Sequence, residues 1–354
     1  MKKTLSIVVP TYNMEKYLAR ALDSICLSSH IDDIEVIIVN DGSKDKSSEI
    51  AHGFQDKYVN SIIVIDKTNG NYGSCINAGL KVATGRYIKI LDSDDYLETN
   101  GLDSLMSTLT SNDVDLVISN YTKEYTGGKT INYEYDLPHN VIVHFANICK
   151  TKATYDLLLP AITYRTQILK DIDYHQTEGI SYTDTEWCFT PMTQVNTVIA
   201  IKDVVYRYQL GREGQTMDPT VYSKSIPQRI QCFIAMLRSI EGMSLPQDKL
   251  EFTSTQLVKH ARYLYNYYLI ENPEENRSLL IEMDGIFKSS NPDAYVRCNA
   301  LQYRLHIPYH HIKDWRENNR AHIPSLFIFA NKILNFIGSA RIKLFLKNNP
   351  NEER

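Results

Sequence analysis

Long apolar runs are missing from this sequence of 354 residues. A membrane-spanning helix needs about 18 or more consecutive apolar residues, and no stretch of the chain approaches that length. The first apolar run, residues 5–9, is too short for the core of a signal peptide and ends at Pro10. These absences predict a cytoplasmic protein without a transmembrane helix.

Paired cysteines and an excess of positive charge are also absent. The six cysteines are scattered with no CxxC pair, which indicates reduced, buried thiols rather than a disulfide framework or a zinc site. The formal net charge is −4 at pH 7, so no overall basic field favours nucleic acid. We therefore expect no nucleic-acid partner.

Short β-branched runs alternate with helical patterns along the first third of the chain. The runs occupy residues 5–9, 35–39, 62–65, 87–91 and 114–121, and the helical patterns occupy residues 15–27, 45–57, 74–83 and 101–110. This alternation predicts an α/β fold with a parallel sheet covered on both faces. The clusters "PTYN", "NDGSKD" and "DSDD" each follow a predicted strand. Because ligands of such sheets bind at the carboxyl ends of the strands, the clusters predict a binding crevice.

The pattern changes beyond about residue 125. Residues 152–170 are predicted to be helical with an interruption at Pro160, and residues 196–217 are predicted to form strand, turn and strand. From Pro227 onward the spacing of apolar residues is mostly helical. The C-terminal third is therefore expected to be a mainly helical region.

Five motifs make residues 4–220 resemble the family 2 glycosyltransferases in order and spacing. They are "SIVVPTYN", "VNDGSKD", "NYGSCINAGLKVATGRYIKILDSDD", "YTDTEW" and "YRYQLGREGQT". The resemblance implies an inverting enzyme of the nucleotide-diphosphosugar transferase superfamily. Its GT-A fold is a three-layer α/β/α sandwich with a mostly parallel central sheet. The resemblance also implies a UDP-sugar donor, a saccharide or lipid-linked saccharide acceptor, and Mn²⁺ or Mg²⁺.

The resemblance assigns donor-binding roles to residues in four of these motifs. They are Pro10, Thr11, Tyr12, Asp41, Asn71, Asn77, Asp92, Ser93 and Arg212. Asp41 can accept a hydrogen bond from a pyrimidine N3–H, which favours uridine, although an aspartate beside Gly42 also suits a turn. Arg212 or Arg207 is expected to bind phosphate, and Lys67 is expected to be a surface residue.

The resemblance makes Asp94 the ligand of a divalent cation. Mg²⁺ and Mn²⁺ prefer hard oxygen ligands, and Mg²⁺ needs few protein carboxylates when a substrate supplies phosphate oxygens. Asp95 has two interpretations, as an assisting residue or as the cap of a helix near residues 96–100.

The resemblance assigns the catalytic base to Asp184 in "YTDTEW". An inverting displacement needs a carboxylate that takes the proton of the attacking hydroxyl. Glu186, two positions later, is an alternative base. A further alternative makes Asp184 a helix N-cap, a position that aspartate favours.

The predicted domain organisation places a catalytic domain at residues 1–225 and a helical region at residues 226–354. Within the first domain, residues 1–120 would bind the nucleotide sugar and residues 121–225 the acceptor. Residues 323–347 mix Phe, Leu and Ile with Lys and Arg, a composition typical of an interfacial amphipathic helix. Peripheral contact with the inner membrane face is one expectation, and docking on its own domain or a second subunit is the other.

The predicted function is transfer of a sugar in surface polysaccharide or glycolipid assembly. A sugar nucleotidyltransferase is one alternative, but its Gly-rich, basic signature is missing from "PTYNMEKY". The second alternative is a nucleotide-sugar-binding protein without turnover.

Overall fold

The computed structural model describes residues 3–212, 225–273, 275–303, 309–319, 323–330 and 333. The chain divides into two compact units. The larger comprises Met1–Thr126, Thr130–Gln228 and Met243–Thr253, and the smaller comprises Gly127–Lys129, Arg229–Gly242 and Ser254–Arg354.

The larger unit is built on a 10-stranded sheet. Its strands are β1 (Leu5–Thr11), β2 (Ile34–Asn40), β3 (Ile62–Asp66), β4 (Tyr87–Ile90), β5 (Tyr96–Leu97), β6 (Leu116–Tyr125), β7 (Thr130–Tyr133), β8 (Ile142–His144), β9 (Ile162–Arg165) and β10 (Thr197–Leu210). The order is β3-β2-β1-β4-β9-β6-β10-β5, with β7 paired to β6 and β8 paired to β10.

Most of the sheet is parallel and buried on both faces. Strands β3, β2, β1 and β4 run parallel, as do β6 and β10. Every residue of β1 and β2 is buried, as expected for strands that are covered by helices on both sides. The helices between strands are α1 (Leu18–Cys26), α2 (Ser47–Lys57), α3 (Asn71–Val82), α4 (Thr99–Ser111), α5 (Phe145–Ile148), α6 (Lys152–Tyr155), α7 (Thr166–Asp171) and α8 (Asp184–Trp187). The α/β prediction with a mostly parallel sheet is confirmed.

Two glycines of α3 allow other backbone and side chains to approach the helix. A Cβ at Gly73 would collide with the carbonyl oxygen of Thr177, and one at Gly79 would lie 2.5 Å from a methyl of Val8. The glycines therefore let α3 pack against β1 on one side and against the segment around Thr177 on the other.

Two sequence predictions in this unit are wrong. The stretch predicted to be helical over residues 152–170 contains β9, which pairs antiparallel with both β4 and β6. This tertiary pairing overrides the local helical pattern. The stretch predicted as strand, turn and strand is the single strand β10 as far as Leu210. Its pairing with β6 shifts register between Ile201 and Val204 and between Val204 and Tyr206, and residues 213–217 lie outside the described residues.

The C-terminal third is helical, as predicted. Its elements are α9 (Ile226–Ser239), α10 (Gln247–Asn266), a π-helical turn (Tyr267–Glu271), α11 (Ser278–Ser290), α12 (Pro292–Arg297) and α13 (His311–Glu317). In the smaller unit a buried ion pair joins Arg316 Nε to Asp284 Oδ1 at 2.9 Å, and Tyr265 donates to Asp284 at 2.6 Å.

No helix in the described part of the chain is long and apolar enough to cross a membrane. Of the predicted interfacial segment at residues 323–347, only residues 323–330 and 333 are described.

Candidate active site

A crevice of about 240 Å³ opens at the carboxyl ends of β1, β2 and β4. Strand β1 ends in Pro10 and Thr11, Asp41 follows β2, and the "DSDD" cluster follows β4. The lining residues are Pro10, Thr11, Tyr12, Met14, Asp41, Tyr72, Cys75, Asp92, Ser93, Asp94, Tyr208 and Arg212. The structure thus gathers most of the predicted site residues around one cavity, whereas Asn71, Asn77 and Asp184 do not line it.

Asp41 is held as an ion pair inside the crevice. Its side chain is 3% exposed, and the ammonium of Lys67 donates to Oδ1 at 2.7 Å. The backbone N–H of Gly70 donates to the same oxygen at 2.9 Å. Lys67 is therefore part of the site rather than a surface residue, and only the fold shows this, because Lys67 follows β3 rather than any of the polar clusters.

Asp92 is a partly buried carboxylate with a hydroxyl partner. Tyr72 donates to Asp92 Oδ1 at 2.7 Å. Burial, followed by the charge of Asp94, raises the pKa of Asp92 to about 7. A carboxylate in this setting gains stability from any cation that enters the crevice.

Asp94 is held by two arginines. The Nε of Arg212 lies 2.7 Å from Asp94 Oδ2, and Nη2 of Arg20 donates to the backbone oxygen of Asp94 at 2.7 Å. Arg20 lies on α1, and no signal in the sequence connects it with "DSDD". Arg207, the alternative phosphate ligand, instead pairs with Glu98 and Glu124 and does not line the crevice.

Asp95 is almost fully buried behind the crevice. The hydroxyl of Tyr206 donates to Oδ2 at 2.7 Å, and the backbone N–H of Gln209 donates to Oδ1 at 2.7 Å. Burial and then the charges of Asp94 and Asp92 raise the pKa of Asp95 well above its usual range. The interpretation of Asp95 as a helix cap is wrong, since residues 96–97 form β5 and Glu98 occupies the N-cap of α4.

The two candidate bases differ in accessibility. Asp184 is exposed and begins α8, while Thr183 occupies the N-cap, so the N-cap interpretation of Asp184 is wrong. After burial and the charge of Asp94, the charge of Asp184 also helps to raise the pKa of Asp92, which indicates that Asp184 lies near the crevice.

Glu186 is enclosed by protein. It is 4% exposed, and its Oε2 accepts hydrogen bonds from the backbone N–H and the hydroxyl of Thr177 at 2.9 and 3.1 Å. Burial raises the pKa of Glu186 to about 6. Its surroundings give it a structural role in fixing the segment that precedes α8.

The two predicted asparagines of α3, Asn71 and Asn77, lie outside the lining of the crevice. Asn77 accepts from the backbone N–H of Gln176 and donates to its carbonyl, both at 2.8 Å. Asn71 begins α3 with φ = 64°, a left-handed conformation that asparagine adopts more readily than most residues. Asn77 therefore ties α3 to the segment around Gln176.

The crevice offers few protein ligands for a cation. Over the described ranges, no group of three or more His, Cys, Asp or Glu side chains is arranged to hold a metal ion. Asp94 Oδ1 has no hydrogen-bond partner among the described residues, and Asp94 lines the cavity. One or two carboxylates are enough for Mg²⁺ when phosphate oxygens and waters complete its shell. The residues present therefore fit a cation that binds together with a phosphorylated ligand.

Comparison with known proteins finds similarity to glycosyltransferases. The model for "Glycosyl transferase family 2" matches residues 6–172. The Bacillus subtilis minor teichoic acid biosynthesis protein GgaB is 27% identical over 226 residues, which are 60% of this chain and 23% of GgaB. Glycosyltransferase GlyG of Streptococcus pneumoniae is 24% identical over 298 residues, 81% of this chain and 97% of GlyG. The chain thus spans less than a quarter of GgaB but nearly all of GlyG.

Solved structures support the fold. A Staphylococcus aureus TarS fragment in complex with UDP-GlcNAc superposes with a TM-score of 0.68 at 21% identity, covering 82% of each chain. A mannosyltransferase of Pyrobaculum calidifontis, solved with GDP-Man and Mn²⁺, has a TM-score of 0.52 at 15% identity and covers 84% of this chain and 83% of its own. These likenesses confirm the predicted GT-A type of architecture.

Proposed function

Because residues 6–172 belong to glycosyl transferase family 2, we propose that the protein is an inverting glycosyltransferase that uses a UDP-sugar. The main support for the proposal is that one cavity at the carboxyl edge of the sheet is lined by Asp41, Asp92, Asp94 and Arg212. In this proposal the sugar moves to an acceptor hydroxyl, with Asp184 as the general base and Asp94 as the ligand of Mn²⁺ or Mg²⁺.

The nucleoside would lie against Pro10, Thr11, Tyr12 and Asp41. Lys67 keeps the buried Asp41 carboxylate paired with a positive charge at 2.7 Å, so Asp41 acts as an acceptor. An acceptor at that place favours a base with an N3–H, which uracil has and cytosine lacks. UDP-N-acetylglucosamine is the first donor to test, since a TarS fragment was solved with it.

Asp184 is the better base because proton transfer needs a reachable carboxylate. It is exposed at the start of α8, whereas Glu186 is buried and bonded to Thr177. The acceptor hydroxyl would attack the anomeric carbon and lose its proton to Asp184, while the bond to the diphosphate breaks on the opposite face.

The diphosphate leaving group needs positive charge. A divalent cation held by Asp94 would supply part of it. Arg212 supplies a second positive charge, since it lines the same cavity and its guanidinium suits phosphate geometry. Arg212 is bonded to Asp94, and we propose that it exchanges Asp94 for phosphate when the donor binds.

The acceptor would be a surface glycan or glycolipid, and the enzyme would work at the cytoplasmic membrane face. GgaB is named for teichoic acid biosynthesis.

Contact with the membrane would involve three apolar side chains near the C-terminal end of the described residues. Leu326, Phe329 and Ile333 are 79%, 62% and 44% exposed. A flotation assay on anionic liposomes should detect binding by the wild type but not by a variant with all three changed to serine. Equal flotation would remove the membrane contact from the proposal.

Calorimetric titration with nucleotides tests the donor assignment. In the presence of Mn²⁺ we expect UDP to bind more tightly than CDP, GDP or dTDP, and Asp41→Asn to lose most of the preference for UDP over CDP. A protein that binds UDP but never releases it from a UDP-sugar would fit the binding-protein alternative. Formation of UDP-sugar from UTP and a sugar phosphate would fit the nucleotidyltransferase.

A further inference from the structure

The loop that carries the aspartates is held at both ends by β10. The hydroxyl of Tyr206 accepts a hydrogen bond from the backbone N–H of Asp92 at 3.1 Å and donates to Asp95 Oδ2 at 2.7 Å. The backbone N–H of Gln209 donates to Asp95 Oδ1 at 2.7 Å. Tyr206 therefore connects the first and the last aspartate of "DSDD".

The shape of β10 brings Tyr206 under this loop. The pairing of β10 with β6 shifts register between Val204 and Tyr206, and such irregularities re-aim side chains next to active sites. Tyr206 is fully buried and pairs with Leu97 of β5, two residues beyond Asp95. The side chain is therefore fixed by packing on a strand rather than placed on a loop.

The three carboxylates divide into two kinds. Asp92 and Asp94 line the cavity, and the partners described for each engage one carboxylate oxygen, Oδ1 of Asp92 and Oδ2 of Asp94. Asp95 does not line the cavity, and both of its oxygens accept hydrogen bonds from β10. A carboxylate whose oxygens already have protein donors has little left to offer a cation.

We propose that Asp95 is a positioning residue and not a metal ligand, and that Asp95 and Tyr206 together fix the loop that presents Asp92 and Asp94. This inference rests on the proposed role of Asp94 as a metal ligand.

Tyr206→Phe isolates the positioning role, because it removes one hydroxyl and leaves the ring. Tyr87→Phe is a matched control: the buried Tyr87 hydroxyl likewise donates to one group, Asn112 O, and accepts from one backbone N–H, that of Val114. Loss of partners that orient metal ligands typically weakens metal binding about 10–100-fold. We expect this loss in Tyr206→Phe and unchanged Mn²⁺ affinity in Tyr87→Phe.

Mn²⁺ affinity would be measured in the presence of saturating UDP from the electron paramagnetic resonance signal of free Mn²⁺, with melting temperatures in parallel. If both tyrosine variants lose similar thermal stability and neither loses Mn²⁺ affinity, Tyr206 is merely structural and the inference is overturned. Asp94→Asn separates this failure from that of the proposed function, since unchanged Mn²⁺ binding there would remove the metal role itself.

Asp95→Asn provides a second test that leaves Tyr206 in place. The amide oxygen can still accept from Gln209, but the amide nitrogen cannot accept from the Tyr206 hydroxyl, so the variant loses one of the two hydrogen bonds that join Asp95 to β10. The proposal predicts weakened but measurable Mn²⁺ binding, well above that of Asp94→Asn. Loss as complete as in Asp94→Asn would make Asp95 a ligand and overturn the proposal.

Discussion

Replacing Arg212 by methionine should strengthen the binding of Mn²⁺ and slow the transfer of the sugar. Arg212 Nε lies 2.7 Å from Asp94 Oδ2, and the two side chains are 22% and 12% exposed. A hydrogen bond between charged groups contributes about 1.5–3 kcal/mol, and residual solvent contact favours the lower end. Since about 1.4 kcal/mol is a factor of ten, we expect Mn²⁺ to bind the donor-free variant about tenfold more tightly.

Turnover of the donor should change in the other direction. The variant loses the guanidinium that would contact the diphosphate, so kcat/KM should fall about 10–100-fold, the kinetic equivalent of the same 1.5–3 kcal/mol. Mn²⁺ affinity would be followed by electron paramagnetic resonance without nucleotide, and turnover by release of UDP.

Arg207→Met is the control for this experiment. Arg207 pairs with Glu98 and Glu124 and does not line the crevice, so its loss should change neither quantity strongly. If donor-free Arg212→Met binds Mn²⁺ with unchanged or lower affinity, the Arg212–Asp94 ion pair does not compete with the cation, and the prediction is wrong.

Three further predictions concern the base, the nucleoside and pH. Asp184→Asn should lower kcat about 10²–10⁴-fold and retain UDP affinity by calorimetry. The substitution Glu186→Gln, at a buried residue, should lower kcat far less. If Glu186→Gln lowers kcat more than Asp184→Asn does, Glu186 is the base. Lys67→Met should weaken UDP binding about tenfold, which corresponds to about 1.4 kcal/mol, whereas Lys81→Met should leave UDP affinity unchanged. Equal UDP affinities of the two variants would show that Lys67 has no role in the site. Burial lowers the pKa of His311 to about 4, and its Nδ1 is buried without a partner in the described structure. The unfolded chain therefore binds the proton first, and the free energy of unfolding should fall by up to about 3 kcal/mol between pH 6.5 and 4. Burial also lowers the pKa of His260, to about 3, so urea denaturation of His311→Gln should keep part of the slope and lose the share of His311. An unchanged slope in His311→Gln would show that His311 does not contribute.

The strand runs predicted the sheet because buried parallel strands need continuous apolar residues. The same rule explains why "PTYN", "NDGSKD" and "DSDD" could be expected at one edge: each follows a strand, and parallel strands end together. The crevice around Pro10, Asp41 and Asp94 is the physical result.

The partners of these residues could not be predicted, because they come from distant parts of the chain. Arg20 reaches Asp94 from α1, and Tyr206 reaches Asp95 across 111 positions. Strand β9 was missed for the same reason, since its pairing with β4 and β6 rather than its own residues decides its conformation.

Nucleotide release from a panel of sugar donors is the most direct test of the proposed metal-dependent use of a UDP-sugar. Purified protein with Mn²⁺ would be offered UDP-, GDP-, dTDP- and CMP-sugars, with EDTA and Asp94→Asn as controls. We expect release of UDP from a UDP-sugar, abolished by EDTA and by Asp94→Asn. Release from another class of sugar nucleotide instead, or UDP release that survives EDTA, would contradict it.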